Sequence, residues 1–397
     1  MPATVPGPRI AIVGGGIGGL AAGAFLRRAG FTATVHEQAS ALTEVGAGLV
    51  MAPNAVRLLR RIGVMAQFLR RAVPLDWGWE FRRWTDGSVL SVEKLSGVCE
   101  RLYGERTYVV HRADLLDSLK AAVPSEWVRL GARCTSVDVR KDVVLLRFAD
   151  GSKVEADIVI GADGVHSVVR GAVTEPLPPA YSGICAFRTI VPAQAVPDFA
   201  LRRAQTLWLG PGRHFVHYPV AGGQAVNVVA FAPAGDYTDE SWSSTGTIEE
   251  FHAEFSDWDP RVTDLITAGG VPGRWALLDR APLPRWSRDR VTLLGDAAHP
   301  MFPFFAQGAA QSIEDAAVLA RCLAAHANDP EQGLKQYEAA RIERTTRLQE
   351  LSHARRDSNH LPDGPEQKAR DAALAASDPL VRNGWIYGFD AEEALTS

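Results

Sequence analysis

The chain has 397 residues, 46% of them hydrophobic, and a formal net charge of −4, so it can bury a substantial core in two closely packed domains. Acids and bases are interspersed, which leaves no basic stripe for nucleic acid or anionic lipid and points to a small-molecule partner. No stretch reaches the ~20 continuous apolar residues of a spanning helix, and the scattered cysteines Cys99, Cys134, Cys185 and Cys322 lack disulfide-framework or metal spacing, which predicts no metal site, no membrane insertion and a reduced, cytoplasmic setting.

The first apolar run, Ile10-Ala11-Ile12-Val13, is short and has no basic region before it, unlike a signal peptide. It ends in Gly14-Gly15-Gly16-Ile17-Gly18-Gly19 and reads as strand, phosphate loop and helix. Gly14 permits the tight turn, Gly16 admits a pyrophosphate to the backbone, and Gly19 lets the helix lie close to the sheet, its N-terminal N–H groups facing the phosphates. A second strand over 32–36 ends at Glu37, followed by Gln38. A carboxylate about 20 residues beyond the glycines can accept hydrogen bonds from both hydroxyls of an adenosine ribose. These features predict a dinucleotide-binding unit.

The segment Glu44-Val45-Gly46-Ala47-Gly48-Leu49 follows; its glycines allow close backbone approach to a ligand, or simply a turn. A helix is predicted over 54–62, closing at Gly63. From Leu75 the texture changes. Trp77, Trp79, Phe81 and Arg83 alternate with Gly78, Glu80, Arg82 and Trp84 up to the turn Asp86-Gly87, which is strand periodicity with a hairpin. A helix begins around His111-Arg112-Ala113-Asp114, strands follow near 134–139 and 143–148, and Ile158-Val159-Ile160 runs into Gly161-Ala162-Asp163-Gly164. The stretch 180–278 is strand-rich, with strands expected over 183–191, 205–209, 213–220 and 225–231. Val291-Thr292-Leu293-Leu294 is another strand and ends in Gly295-Asp296-Ala297-Ala298-His299-Pro300. Helices are predicted over 308–325 and, as a charged stretch, 331–356, before a Pro/Gly break at 361–365 and a short tail. No second strand-glycine-helix unit is present, so a nicotinamide cofactor would bind without a nucleotide domain of its own.

With Gly14-x-Gly16-x-x-Gly19, Gly161-Ala162-Asp163-Gly164 and Gly295-Asp296-Ala297-Ala298-His299-Pro300 in this order, the last continued through Met301, Pro303, Ala306-Gln307-Gly308-Ala309 and Ile313-Glu314-Asp315-Ala316, the chain resembles the single-component FAD-dependent aromatic hydroxylases. These flavoprotein monooxygenases act on para-hydroxybenzoate, salicylate, 3-hydroxybenzoate and 6-hydroxynicotinate. The resemblance covers nearly the whole chain. It implies an α/β fold in which a Rossmann-like FAD-binding domain (1–75, 101–178 and 285–345) is interrupted by a β-sheet substrate domain (76–100 and 179–284), with a C-terminal helical segment and tail (346–397). It also implies one non-covalent FAD, NADH or NADPH as transient electron donor, and O2 as co-substrate. The implied reaction is hydroxylation of a phenolic or amino/hydroxy-substituted aromatic acid through a flavin C4a-hydroperoxide. A monomer or homodimer is expected.

In the family, the residue matching Asp296 bonds the ribityl chain, the one matching Arg112 lies by the FAD phosphate and ribityl region, and the Asp163 motif supports FAD and the passing nicotinamide. With Gly18, Gln38, Gly48, Leu49, Pro303, Gly308 and Ala309, these join Gly14, Gly16, Gly19 and Glu37 as expected cofactor contacts. Taken as residues alone, Asp296 could instead cap its turn, and Arg112 could be a surface cation. A helix beginning at Gly308 would direct unpaired N–H groups at the negative charge of a reduced flavin.

A substrate phenol must lose its proton to become a good nucleophile, so a base or hydrogen-bond relay should reach it. In the strand 213–220, period-two alternation puts His214, Val216 and Tyr218 on one face and Phe215 and His217 on the other. His214 and Tyr218 resemble a histidine–tyrosine pair of the 3-hydroxybenzoate and 6-hydroxynicotinate hydroxylases, which makes them the candidate catalytic and substrate-binding residues. The ~13 Å of strand between them would let them flank one ring. The bland alternative is a satisfied strand histidine and a packed tyrosine. Arg188, in Ala186-Phe187-Arg188-Thr189, matches a family arginine that could serve flavin, nicotinamide or substrate.

Leu49 and Phe304 stand where 6-hydroxynicotinate hydroxylases carry histidines, and Pro303 where 3-hydroxybenzoate 6-hydroxylases carry a glutamine. The expected pocket, with Pro303 and Phe304 as substrate contacts, is therefore more apolar, and salicylate-like or amino/hydroxybenzoate-like acids come ahead of a natural-product phenol. A non-hydroxylating flavoprotein of the same fold (oxidase, reductase or halogenase) is the other reading. Trp77-Gly78-Trp79 is similar to a halogenase Trp-x-Trp but lacks the Ile-Pro that should follow.

Overall fold

The computed structural model describes residues 7–42, 47–175, 179–237, 239, 244–376 and 379–394. The apolar run at the start forms β1 (Ile10–Val13), buried throughout, as expected for a strand covered on both faces. Helix α1 (Ile17–Arg28) returns the chain to β2 (Ala33–His36), parallel to β1. Of the paired-glycine segment, Glu44-Val45-Gly46 lies outside the described residues, and Gly48 opens β3 (Gly48–Met51). Pro53, at a position where the missing N–H is harmless, starts α2 (Pro53–Arg61).

The alternating tryptophan-rich stretch is the hairpin β4 (Gly78–Arg83) and β5 (Val89–Glu93), after which β6 (Tyr108–His111) pairs with β3 and leads into α3 (Arg112–Lys120). Past a small antiparallel sheet of Cys134–Val139, Val144–Phe148 and Lys153–Ala156 come β7 (Ile158–Gly161), then β8 (Ala180–Pro192), β9 (Ala204–Gly210), β10 (Arg213–Val220), β11 (Ala225–Pro233) and β12 (Gly273–Asp279). After these come β13 (Val291–Leu293), α4 (Gly308–Ala325), α5 (Pro330–Asn359) and α6 (Pro365–Ala376), and two short helices, Pro379–Arg382 and Gly384–Tyr387, end the series.

Two sheets position the site. One has six strands in the order Ser287–Arg288, β13, β7, β1, β2, Val128–Arg129, parallel except at the first pair. The other has seven, in the order β12-β8-β11-β10-β9-β4-β5, antiparallel except between β9 and β4. Side chains alternate across this second sheet, so its faces build different cores. Val216, Tyr218, Val229 and Phe231 join Trp79, Phe81, Phe302 and Phe304 on one face. Phe215, Val228 and Ala230 join Trp208, Phe251, Phe255 and Trp258 on the other.

The C-terminal part departs from a simple charged helix and short tail. A stripe of α5 at helical spacing is buried: Leu334, Tyr337, Arg341, Thr345, Leu348 and Ser352. Beyond the break, Leu374, Leu380, Ile386 and Tyr387 are buried as well. Arg57 on α2 donates to the carbonyls of Tyr387 at 3.1 Å and Gly388 at 3.3 Å, so the tail is a packed clasp.

His217 lies on the face away from the candidate pair, its ring edge-on to Phe199 at 5.6 Å. Burial, then Arg82 and Arg202, push its pKa down to about 3. A lowered folded-state pKa means that the unfolded chain binds the proton more tightly. The stabilisation is therefore complete above the ordinary histidine value and is lost as pH falls below it, by about 2 kcal/mol between pH 7.5 and 5. His36 and His360, both lowered to about 4, act in the same window. The melting midpoint of His217→Leu should consequently drop less than that of the wild type between these pH values; equal drops would show that His217 is not held neutral in the core.

Candidate active site

The glycine loop ends at Gly16, the N-cap of α1, which no side chain caps; the first helical bond runs from Leu20 N–H to Gly16 O at 3.0 Å. The N–H groups of 17–19 are thus left outside the helical ladder. Gly14 has φ +106°, and a Cβ there would lie 2.2 Å from the Ala162 carbonyl oxygen, so only glycine fits where the first and second motifs meet. A Cβ at Gly16 would meet nothing within 4 Å, and one at Gly308 only Met301 Cγ at 4.0 Å. Both helix starts therefore face open space of the kind a pyrophosphate and a flavin require.

Glu37, half-buried at the end of β2, accepts the N–H groups of Gly15 at 2.6 Å and Ala39 at 2.8 Å. Those bonds tie it to the loop, and its two oxygens retain lone pairs for ribose hydroxyls. Gln38 beside it is exposed. In the second motif, Asp163 accepts from the Ser167 hydroxyl at 2.6 Å and from the N–H groups of Val168 and Val169 at 2.8 and 3.2 Å. Burial raises its pKa and these bonds oppose the rise. Its direct partners are the turn that follows it.

Arg170, which the motifs do not single out, fastens the second motif to the third. It donates to Ala297 O at 2.8 Å, Asp296 O at 3.0 Å and Val165 O at 2.9 Å. Asp296 is the exposed member of an otherwise buried turn. Among the described residues no hydrogen bond reaches its carboxylate, so it is not a turn cap. Nor is Arg112 a surface cation: it is half-buried, burial lowers its pKa, and Asp296 partly offsets this. Arg188 sits 4.8 Å from the Trp275 ring, with its pKa lowered to about 10 by burial; Tyr218 opposes the fall and Arg112 adds to it. Asp296 is thus an electrostatic neighbour of Arg112, Arg112 of Arg188, and Arg188 of Tyr218.

Tyr218 also reaches the start of β3. A Cβ at Gly48 would lie 2.4 Å from Tyr218 Cε2, and Gly48 N–H donates to Asn227 Oδ1 at 2.7 Å. Asn227 stands opposite Tyr218 in the β10–β11 ladder and is fully buried. Its alternation in β11 is visible in the sequence; which residue it faces is not.

His214 lies further along the same face. Its ring stacks on Phe231 at 4.5 Å and meets Phe304 at 5.2 Å. Its Nδ1 is 2.7 Å from Nε2 of His360, at the end of α5. Burial, then His360 and Arg355, hold its pKa well below the ordinary histidine value. Phe304 is buried, Leu49 and Ala309 are half-buried, and Pro303 is exposed.

Beneath the third motif is a cluster of buried charges. Asp315 accepts Gly295 N–H at 3.0 Å, pairs with His299 Nε2 at 2.5 Å and takes Arg341 Nε at 2.7 Å. Glu314 is bonded by Arg341 at 2.6 Å, Arg344 at 2.8 Å and Asn54 at 2.7 Å. Burial works against the Asp315 carboxylate, but His299 and Arg341 outweigh it and hold its pKa at about 2.

A family model described as an FAD binding domain matches residues 8–352. The 3-amino-4-hydroxybenzoate 2-monooxygenase PtnB3 of Streptomyces platensis is 42% identical over 384 residues, covering 97% of this chain and 96% of the relative. The 6-hydroxynicotinate 3-monooxygenase of Pseudomonas fluorescens is 40% identical over 350 residues, 87% of this chain and 90% of the relative. A salicylate hydroxylase substrate complex superposes with a TM-score of 0.82 at 27% identity, covering 98% of both chains. Among the described residues no helix is long and apolar enough to cross a membrane.

Arg341→Met should leave Asp315 and Glu314 buried with fewer cations and lower stability by about 3–5 kcal/mol. Urea or thermal unfolding of the holoprotein measures it; a change below about 1 kcal/mol would mean that the cluster relaxes or hydrates.

Proposed function

The chain belongs to the FAD-dependent aromatic monooxygenases, and from that we propose that it hydroxylates an amino- or hydroxy-substituted benzoate, with NADH or NADPH as electron donor and O2 as co-substrate. Bound FAD supplies the oxygen activation; the protein supplies binding, orientation and exclusion of water. The observation that carries this reading is that Arg188, His214 and Tyr218 share one sheet face, with Arg112 in electrostatic reach of Arg188 and Asp296 in reach of Arg112.

Flavin binding is assigned to 1–75, 101–178 and 285–345, and substrate binding to 76–100 and 179–284, with 346–397 as the C-terminal helical segment. Gly14, Gly16, Gly18 and Gly19 hold the pyrophosphate, Glu37 and Gln38 the adenosine ribose side, and Asp296 a ribityl hydroxyl, with Arg112 and Asp163 supporting them. Gly308 and Ala309, at the start of α4, turn the positive helix end toward the ring, and Gly48, Leu49 and Pro303 line it. Arg188 keeps its charge in a half-buried position beside Tyr218, where a substrate carboxylate would pair with it. Nε2 of His214, the ring nitrogen that His360 does not engage, takes the phenolic proton, and the Tyr218 hydroxyl orients the ring. Phe304 supplies the apolar wall. Four buried thiols outside any disulfide suit a reducing, cytoplasmic setting; the oligomeric state proposed is a monomer or homodimer.

The test is oxygen consumption by the yellow holoenzyme with 3-amino-4-hydroxybenzoate, 6-hydroxynicotinate and salicylate, each with NADH and with NADPH, followed by product identification. A hydroxylated product is expected. Peroxide alone from every acid would favour the non-hydroxylating flavoprotein.

Two further outcomes follow from the assignments. Asp296→Ala removes a charge-assisted acceptor and should weaken FAD binding by about 10- to 100-fold; full flavin occupancy on dilution would remove Asp296 from the site. His214→Ala and Tyr218→Phe should retain FAD while slowing hydroxylation by roughly 10²-fold and raising the peroxide fraction, whereas His217→Ala should hydroxylate nearly normally. The opposite ranking of the histidines would overturn the assignment of the pair.

A further inference from the structure

The closest polar partner of His214 is not on its own sheet, and we propose that His360 is a positioning residue through which the phenolic proton leaves, the two imidazoles forming a relay from the substrate pocket to the surface. The proposal rests on the reading of His214 as the group that takes that proton.

A 2.7 Å contact between His214 Nδ1 and His360 Nε2 requires one N–H and one lone pair. If His214 donates, its Nε2 is left bare and can act as a base; if His360 donates, Nε2 of His214 carries a proton and cannot. In the relay His360 is the acceptor, which keeps Nε2 of His214 bare. Its position is itself fixed, since its carbonyl accepts Gly212 N–H at 2.9 Å and ties the β9–β10 turn to the end of α5.

The two rings differ in access to water. His214 is 1% exposed, between Phe231 and Phe304, whereas His360 is only half-buried. The charged groups facing the pair are Arg355 at His214, and Arg356, Asp357 and Arg213 at His360. Three cations against one carboxylate, together with burial, make a resident imidazolium unfavourable, so a proton accepted at His214 should pass outward.

The steps balance. The phenol O–H breaks as N–H forms at His214 Nε2, the Nδ1–H of His214 moves to His360 Nε2, and the Nδ1–H of His360 passes to water. One phenolate and one solvated proton result. The reverse shift restores both tautomers when the product regains its proton.

The test uses His360→Gln, whose side-chain oxygen can still accept from His214 but cannot pass the proton on, and His360→Ala, which leaves room for added imidazole. Both holoenzymes should keep their FAD and be reduced normally. With the aminohydroxybenzoate probe they should hydroxylate roughly 10- to 100-fold more slowly, with a displaced acid limb of the pH profile, and imidazole should restore His360→Ala. A purely structural contact would instead be rescued by His360→Gln and ignore imidazole.

Normal hydroxylation by both variants, with His214→Ala slow, would overturn the relay and leave His214 as the base. Normal hydroxylation by His214→Ala as well would overturn the underlying reading. If neither variant folds, nitrogen NMR of the histidine-labelled wild-type holoenzyme decides: a proton on His214 Nδ1, coupled to His360 Nε2, is expected, and a proton on His214 Nε2 at neutral pH overturns the proposal.

Discussion

Arg341, Glu314 and Asp315 are carried into the interior with no side-chain exposure, and the arrangement of the turn at Gly295-Asp296 depends on their staying matched. Burying any one of these ions alone would cost several kcal/mol. Together they join α5 to α4, reach α2 through Asn54, and reach the third motif through Gly295 N–H and His299. Sliding or rotating α4 would separate charges in a low-dielectric interior. The cluster therefore fixes where the start of α4 points and where Asp296 stands, although none of its members faces the open space beside Gly16 and Gly308.

The same reasoning separates two histidines of one strand. His214 and His217 are both buried and both held neutral, yet one has a polar partner at 2.7 Å and an aromatic pocket while the other is set among Phe199, Phe215 and Trp208. Burial is the largest cause of the neutrality of each ring, with neighbouring cations adding to it. Only the partner makes one of them a candidate for proton transfer.

Specificity divides along similar lines. The wall of Phe231, Phe302 and Phe304 can exclude water and accept a ring, but apolar contacts discriminate weakly between rings of equal size. In the proposed pocket, discrimination would fall to the polar groups on the same face. Among these, Asn227 Nδ2 and Gln205 Oε1 are buried without a protein partner among the described residues, and such groups favour ligands that complete their hydrogen bonds.

By itself the sequence determined the local elements: β1 and its glycine loop, the hairpin of β4 and β5, the faces of β10, and α4 from its first residue to its last. Turn chemistry and side-chain period operate over a few residues, so they are written in neighbouring positions. The family motifs likewise carried the FAD-binding fold and the monooxygenase class, because each is a contiguous run in a required order. Tertiary structure alone decided the rest. Arg341 belongs to a stretch whose charge reads as a solvated surface; it is buried because two carboxylates from α4 meet it. Asn227 reads as an ordinary strand polar residue until the ladder sets it opposite Tyr218 and under Gly48. His360, 146 residues from His214 and past the end of the matched family region, has no local signature, because a hydrogen bond between two rings is made by the packing of a helix end on a sheet and leaves no period in the chain.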